Sequence, residues 1–391
     1  MSLYFVGIDI SKYKHDCCII SAADQKIVAK LTFKNDKAGF EQLLSVFQSL
    51  SNPENIRIGF ESTAHYALNL ELFLENANHS FMEINPILIK EYKKSTTLRR
   101  TKTDSIDCES IARWLMTVEY KPHTKGFYHA YSLKSLTRLR DRLVRQRSFY
   151  LVKITNVLDH TFPEFKPFFQ ERLSKTALYL LENYGSADKM ARMNSASYEK
   201  LRSISRGKFS PQQFLRLKEL AANTVGVNNS IFDVELSSLL TLYKSLIKEI
   251  ETLEAEINKL VNEVHPHYMS IPGIGPISAA IIYAEYGDIS SFSGPDQMLA
   301  FAGIEPGIND SGTASNGGRM VKHGSSQLRY VLINCCLPLI RFDMTFATYY
   351  AKKRAENKPH RVAITHVAKK LVRVIYALES QDIDFDPKRL R

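Results

Sequence analysis

The chain is 391 residues long, more than one hydrophobic core usually supports, so two or three domains are expected. A composition of 44% hydrophobic and 24% charged residues is that of a soluble globular protein, and no apolar stretch approaches the roughly 20 residues that cross a bilayer, which excludes a membrane-spanning chain. With 52 basic residues against 41 acidic ones and a net charge of +11, the balance favours a polyanionic partner. The first expected strand is Leu3–Ile10, followed by Asp16–Ser21 and Ile27–Phe33 as an antiparallel meander. A helix over Asp36–Leu50 brings Phe40, Leu43, Leu44 and Phe47 to helical spacing. Strand Ile56–Phe60, helix Thr63–Asn76 and strand Ser80–Ile84 complete an α/β unit that reaches to about Met116.

Three strands, a helix, a strand, a helix and a strand is the element order of the ribonuclease H fold. From Ser132 to about Leu158 the pattern becomes one long amphipathic helix, with Leu136, Leu139, Leu143, Tyr150, Ile154 and Val157 as its apolar stripe. Arg138, Arg142, Arg145 and Arg147 crowd its other sides. A second long helix, about Leu239 to Val264, carries Leu239, Leu246, Leu253 and Leu260 at heptad spacing, with Tyr243, Ile250, Ile257 and Val264 as a second seam. The two form either an intramolecular helical hairpin or a coiled coil between subunits. Between them, residues 162–226 are a Ser-, Lys- and Arg-rich helical module. The last region is helical with a glycine-rich centre. The expected domains are therefore residues 1–125, an α/β domain; 126–264, helical and coiled-coil with the inserted module; and 265–391, mainly α.

Four acids stand at the joints of these elements. Asp9 closes the first strand, Glu61 closes Ile56–Phe60, and Asp104 and Asp107 open a helix in Thr103-Asp104-Ser105-Ile106-Asp107. A strand-end carboxylate is costly to bury without a partner. Oxygen ligands of this kind hold Mg²⁺ and leave waters free for phosphate chemistry. Asp104 and Asp107, at i and i+3, share one helix face; helix capping is the alternative reading of that pair. Arg99, Arg100 and Lys102 directly precede Asp104 and are candidates for holding a phosphate backbone, or simply a solvated face.

Ser270-Ile271-Pro272-Gly273-Ile274-Gly275-Pro276 reads as a helix-hairpin-helix turn. Its backbone amides, with Gly273 and Gly275, would grip DNA backbone without reading sequence. The alternative is a glycine-requiring turn with no ligand. Further on, Asp310-Ser311-Gly312-Thr313 and Gly318-Arg319-Met320-Val321-Lys322-His323-Gly324 form a polar, glycine-rich loop. It offers hydroxyls to a phosphate and Arg319, Lys322 and His323 to neutralise it. Composition does not choose among Ser311, Thr313, Ser315, Ser325 and Ser326, and a surface loop is the bland alternative. Cys17, Cys18, Cys108, Cys335 and Cys336 lack CxxC spacing, which argues against zinc and for a reducing cytoplasm. The N-terminus has no basic-then-apolar signal pattern.

Taken in order, these motifs resemble those of insertion-sequence transposases and Piv-type DNA invertases with an N-terminal RuvC-like DEDD domain and a C-terminal serine-bearing transposase domain. Phe5-Val6-Gly7-Ile8-Asp9, Phe60-Glu61-Ser62-Thr63 and Lys102–Asp107 match the three acidic motifs. Ile271–Gly275, Phe301–Pro306, Gly318-Arg319-Met320 and a closing helix over Val362–Asp386 match the C-terminal block. The resemblance implies that Asp9, Glu61, Asp104 and Asp107 hold Mg²⁺ or Mn²⁺, and that Ser311 attacks DNA to form a phosphoserine link. It further implies donor and target DNA as substrates, a structured guide RNA from the element that pairs with both, and a homo-oligomer (dimer or tetramer). Acids and serine lie far apart in sequence and must meet by folding or across subunits. The residue module 162–226 matches longer members of the family. Two other functions would use the same chain differently: a metal-dependent DNA junction nuclease hydrolysing with water, and a non-catalytic nucleic-acid-binding protein with a decayed site.

Overall fold

The computed structural model describes residues 2–61, 66–96, 104–122, 127–170, 173–311, 314–320, 322 and 324–389; the side chains of 96, 104–106, 127–129, 306–311 and 314–319 lie outside that description. The chain divides into two units, Met1–Tyr131 with Tyr286–Met298, and Ser132–Glu285 with Leu299–Arg391.

The first unit is a five-stranded sheet in the order β3-β2-β1-β4-β5. Its strands are β1 (Tyr4–Ile10), β2 (Lys14–Ser21), β3 (Ile27–Lys34), β4 (Ile56–Glu61) and β5 (Phe81–Ile84). The β1–β2 and β2–β3 pairs are antiparallel, whereas β1–β4 and β4–β5 are parallel. This is the expected order of elements. Helix α1 (Lys37–Leu50) is started by Asp36, whose carboxylate accepts from the Gly39 amide at 2.8 Å. With α2 (Leu68–Asn76) it covers one face of the sheet; Val6, Ile8 and Ile10 pack there with Ile58, Phe60, Leu43, Phe47, Leu70 and Leu74. Helix α2 begins at Leu68 rather than Thr63, and Ser62–Thr63 lie outside the described residues. Helices α3 (Pro86–Thr96) and α4 (Asp104–Leu115) lie on the other face, where Phe5, Ile84, Ile89, Ile111 and Leu115 cluster.

In the second unit, α5 (Phe127–Thr161) and α11 (Ser230–Val264) are each 35 residues long, about 50 Å of helix. Helix α11 starts nine residues before the heptad pattern, capped by Asn229, whose side chain accepts from the Ile231 amide. Tyr243, Ile250 and Ile257 are buried, while Leu239, Leu246, Leu253 and Leu260 are half-buried. Between the long helices run α6 (Phe165–Phe168), α7 (Lys175–Asn183), α8 (Ala187–Ala191), α9 (Ser195–Ile204) and α10 (Pro211–Ala222). They bury Phe165, Leu180, Met190, Leu201, Phe209 and Leu217 in a core of their own with the ends of the long helices. The module enters and leaves at one point. Val227 donates its amide to the His160 carbonyl at 2.8 Å, and a Cβ on Gly226 would overlap the Thr161 carbonyl.

The C-terminal part holds α12 (Pro276–Tyr286), α13 (Pro295–Ala302), α14 (Ser326–Phe342), α15 (Met344–Ala355) and α16 (His360–Gln381). Two features differ from the sequence reading. Before the Gly273 turn stands a single 3₁₀ turn, His267–Ser270, because α11 ends with His265 left-handed (φ 47°) and Pro266 cannot continue it. The glycine-rich stretch is an antiparallel hairpin, β6 (Pro306–Ser311) and β7 (Ala314–Met320), in which Ser311 pairs with Ala314 and Asp310 with Ser315. The last helix stops at Gln381, with Asp382 left-handed (φ 53°), so Ile383–Asp386 form a tail rather than a helical end. No single helix among the described residues is long and apolar enough to cross a membrane.

Candidate functional site

Alternation along the strands decides which acids share a face. On β1, Val6, Ile8 and Ile10 take the α1–α2 side, so Phe5, Gly7 and Asp9 take the α4 side. On β4, Ile56, Ile58 and Phe60 take the former, leaving Arg57, Gly59 and Glu61 on the latter. The register continues from Ile8 opposite Phe60 and sets Asp9 and Glu61 at the ends of two adjacent parallel strands, on the face that α4 covers. Both are partly buried.

Helix α4 reaches this face only because Gly7 has no side chain. A Cβ there would overlap the Cys108 carbonyl oxygen and the Ala112 amide nitrogen, both backbone atoms. The middle of α4 therefore rests on β1 at Gly7, two residues before Asp9. Asp104 opens the helix, and Asp107 follows one turn later with its carboxylate held by Lys93 of α3 at 2.8 Å. Behind the acids, Lys30 of β3 and Arg113 clamp Glu109 at 2.8 and 2.9 Å. Burial raises the Glu109 carboxyl, but these two cations outweigh it and hold it below the usual range. The Cys18 and Cys108 thiols hydrogen-bond between β2 and α4, which pulls Cys18 down and pushes Cys108 up.

A fifth acid was not singled out from the sequence. Asp16 lies directly opposite Asp9 in the antiparallel β1–β2 register, accepts from the Thr32 hydroxyl at 2.5 Å, and is 3.6 Å from Lys14. Only the hairpin register could have pointed to it. Like charges directly opposite across a strand pair repel. Lys14 and the Thr32 hydroxyl offset that repulsion at Asp16, and the Lys93 ammonium balances the charge at Asp107. The donors are all carboxylate oxygens, a set that fits a hard divalent ion. Among the described residues no three His, Cys, Asp or Glu side chains are close enough to hold a metal by themselves; the Asp104 side chain is outside that description.

In the second unit, Ser311 ends β6 beside the hairpin turn and Arg319 lies on β7; their side chains are outside the description. Lys322 is exposed, and Arg99, Arg100, Lys102, Thr313 and His323 fall outside the described residues. Gly324 (φ +134°) lies against the Phe301 carbonyl, where a Cβ would overlap it, and so ties the return leg of the hairpin to α13. The next residue removes one serine from the candidates. Ser325 caps α14 by accepting from the Leu328 amide, and its hydroxyl donates to Glu285 at 2.8 Å. Glu285 is 5% exposed and is also gripped by Arg138 of α5, at 3.0 and 3.2 Å. Its signal in the sequence was a lone acid in the apolar run Ile277–Tyr286. Glu285→Ala leaves Arg138 and Ser325 without their acceptor, and we expect a loss of about 2 kcal/mol, or about 5 °C in melting temperature. Differential scanning calorimetry checks it; an unchanged melting temperature would show that the three residues do not hold the hairpin root.

The two turn glycines have different reasons to be there. Gly273 (φ +98°) packs against Pro338, 2.9 Å from a built Cβ, so its need is conformational and steric. Gly275 has nothing within 4 Å of a built Cβ, which leaves room for a ligand's approach to the start of α12. Just upstream, His267 is hydrogen-bonded by Asp384 at 3.0 Å and Asp382 at 2.9 Å. These carboxylates, Asp384 foremost, raise its pKa, and the contact fastens the C-terminal tail to the 3₁₀ turn.

Two family models match the chain. One is a transposase model named for its DEDD acids and the element IS110, over residues 6–163. The other is the transposase of the IS116/IS110/IS902 family, over residues 266–351. The chain is similar to an uncharacterised 42 kDa protein of insertion element IS900 from Mycobacterium paratuberculosis, 25% identical over 96% of this chain and 95% of that one. It is similar to the transposase of insertion sequence element IS1111A from Coxiella burnetii, 26% identical over 75% and 70%. A pilin gene-inverting protein of Moraxella bovis matches at 21% identity over 99% of both chains. The acidic strand ends lie inside the first matched stretch and the Gly273 turn and the serine hairpin inside the second, and both stretches are similar to transposases of the IS116/IS110/IS902 type.

Proposed function

We propose that this protein moves its own insertion element, breaking and rejoining DNA through attack of the Ser311 hydroxyl on a phosphodiester. The observation that carries the reading is the placement of Asp9 and Glu61 toward the ends of adjacent parallel strands, on the face covered by α4, the helix whose first turn contains Asp104 and Asp107. These four carboxylates would hold Mg²⁺ or Mn²⁺. When bound, such ions supply Lewis-acid stabilisation of the charge that develops on phosphate and leaving oxygen. A serine hydroxyl is a weak nucleophile at its own pKa. In the step, the Ser311 Oγ–P bond forms, the hydroxyl proton goes to solvent, and the strand's own oxygen leaves and is protonated. Reversal by another strand's hydroxyl rejoins the DNA without an external energy source.

Other parts of the chain support this reading. The open space at Gly275 suits backbone contact by a helix-hairpin-helix-like turn. The half-buried heptad leucines Leu239, Leu246, Leu253 and Leu260 suit a homo-oligomer. The net charge of +11 suits donor and target DNA together with a guide RNA, in which base pairing would supply sequence choice. All five cysteines are free and buried, in keeping with work on DNA in the cytoplasm. Purified protein incubated with donor DNA, target DNA and the element's RNA is expected to give a covalent protein–DNA adduct with Mg²⁺ and none with EDTA. Cleaved strands with free ends and no bound protein would instead establish a junction nuclease that uses water.

A further inference from the structure

Helices α15 and α16 carry a crowd of like charges that the reaction scheme above leaves unused. His366, Lys369 and Arg373 follow one another as a basic stripe, at spacings of three and four on the same face of α16, and Lys353 of α15 and Lys358 of the turn are near enough to act on the His366 ring. The turn into α16 is fixed by Arg354, which donates to the Lys358 carbonyl at 2.8 Å. Beneath the stripe, Lys370 sits 5.3 Å from the Phe346 ring and 5.2 Å from Tyr349, which fixes the two helices against each other. Burial and the neighbouring cations act together on two of these groups. Burial and then Lys353, Lys369 and Lys358 hold the His366 ring below its usual range. Burial and then Arg373 do the same to Lys369, with Glu305 opposing. Lys353 is balanced by Glu356 at 3.0 Å, at the far end from Glu305.

In the free protein this repulsion returns nothing. It is offset when a polyanion lies along the stripe. From the start of α16 to Arg373 the stripe runs about 20 Å, the length of about six base pairs of a duplex. One end adjoins Glu305, the residue just before the β6–β7 hairpin that carries Ser311. We propose that the basic face of the α15–α16 pair seats the phosphate backbone of duplex DNA and delivers a strand to that hairpin. The proposal rests on the reading of Ser311 as the attacking residue and extends it by naming the surface that presents its substrate.

The test is fluorescence anisotropy of the full-length protein on a duplex of about 30 base pairs, titrated with NaCl. Each lost phosphate contact flattens the log–log salt slope by about 0.9. The double variant Lys358→Gln, Lys369→Gln is therefore expected to flatten it by about 1.8 and to weaken binding about 60-fold at 0.1 M salt. Lys358→Arg, Lys369→Arg keeps the charge and is expected to keep the slope. A control that removes two exposed charges elsewhere, Lys200→Gln with Lys208→Gln, is expected to leave it in place. An unchanged slope in the first variant overturns the proposal, and so does an equal loss in the control. A loss seen only with an RNA hairpin of the same length, and not with DNA, overturns it too. None of these readings needs an adduct to form, so a failure of the Ser311 reading stays distinguishable.

Discussion

Ser311→Ala is expected to lower adduct formation by at least about a thousandfold, as loss of a nucleophile does elsewhere, while DNA binding stays within twofold. The expectation separates the serine from its neighbours in the hairpin. Ser311 pairs with Ala314 and Asp310 with Ser315, so Ser311 and Ser315 occupy different rungs of the ladder. Ser325 is committed to the α14 cap and to Glu285. A Ser315→Ala variant should therefore retain the adduct. If Ser315→Ala loses it and Ser311→Ala keeps it, the nucleophile has been assigned to the wrong rung. The assay is a denaturing gel of labelled donor DNA, and retention of the label at the protein band in Ser311→Ala would sink the assignment.

Gly7→Ala is expected to cost more than about 3 kcal/mol, beyond ordinary overpacking. The added methyl would meet backbone atoms of α4, the Cys108 carbonyl and the Ala112 amide, which cannot turn aside. Gly59→Ala is the informative contrast. Its Cβ would meet the Leu115 δ-methyls at 2.8 and 2.9 Å, and a rotamer change relieves the contact for about 1 kcal/mol. Urea unfolding of the two variants compares them directly. Because α4 carries Asp104 and Asp107, Gly7→Ala should also abolish adduct formation even below its melting temperature. Equal stabilities for the two variants would mean that α4 does not depend on the close approach at Gly7.

The N-terminal sheet was legible because its signal is local. Alternation in Val6, Ile8 and Ile10 gives both the strand and the face on which Asp9 stands. The β6–β7 hairpin was read as a loop because Pro306–Met320 is rich in Gly, Asn and Ser and poor in β-branched residues; its pairing comes from backbone hydrogen bonds that leave no side-chain pattern. The early start of α11 was hidden for a related reason. Ile231 and Val234 are exposed, so the first turns carry no stripe that would reveal them. Asp16, Lys93 and Glu285 depend on register and on contacts between distant segments, at sequence distances where periodicity is silent.

The closed doorway at Thr161 and Gly226 bears on how such a chain grows and shrinks. The ends of the intervening segment are pinned together by the His160–Val227 bond, while its helices share one core with Leu158, Leu240 and Tyr243 and tie Glu182 to Lys244 of α11 at 2.9 Å. The entropy of closing a loop rises slowly, about 0.6 kcal/mol for each doubling of its length. A folded segment whose ends already meet adds little to that cost. Loss of residues 162–225 would leave α5 and α11 joined at adjacent ends but would uncover Ile154, Leu158, Leu236 and Leu240, so a chain without this module needs polar residues at those positions.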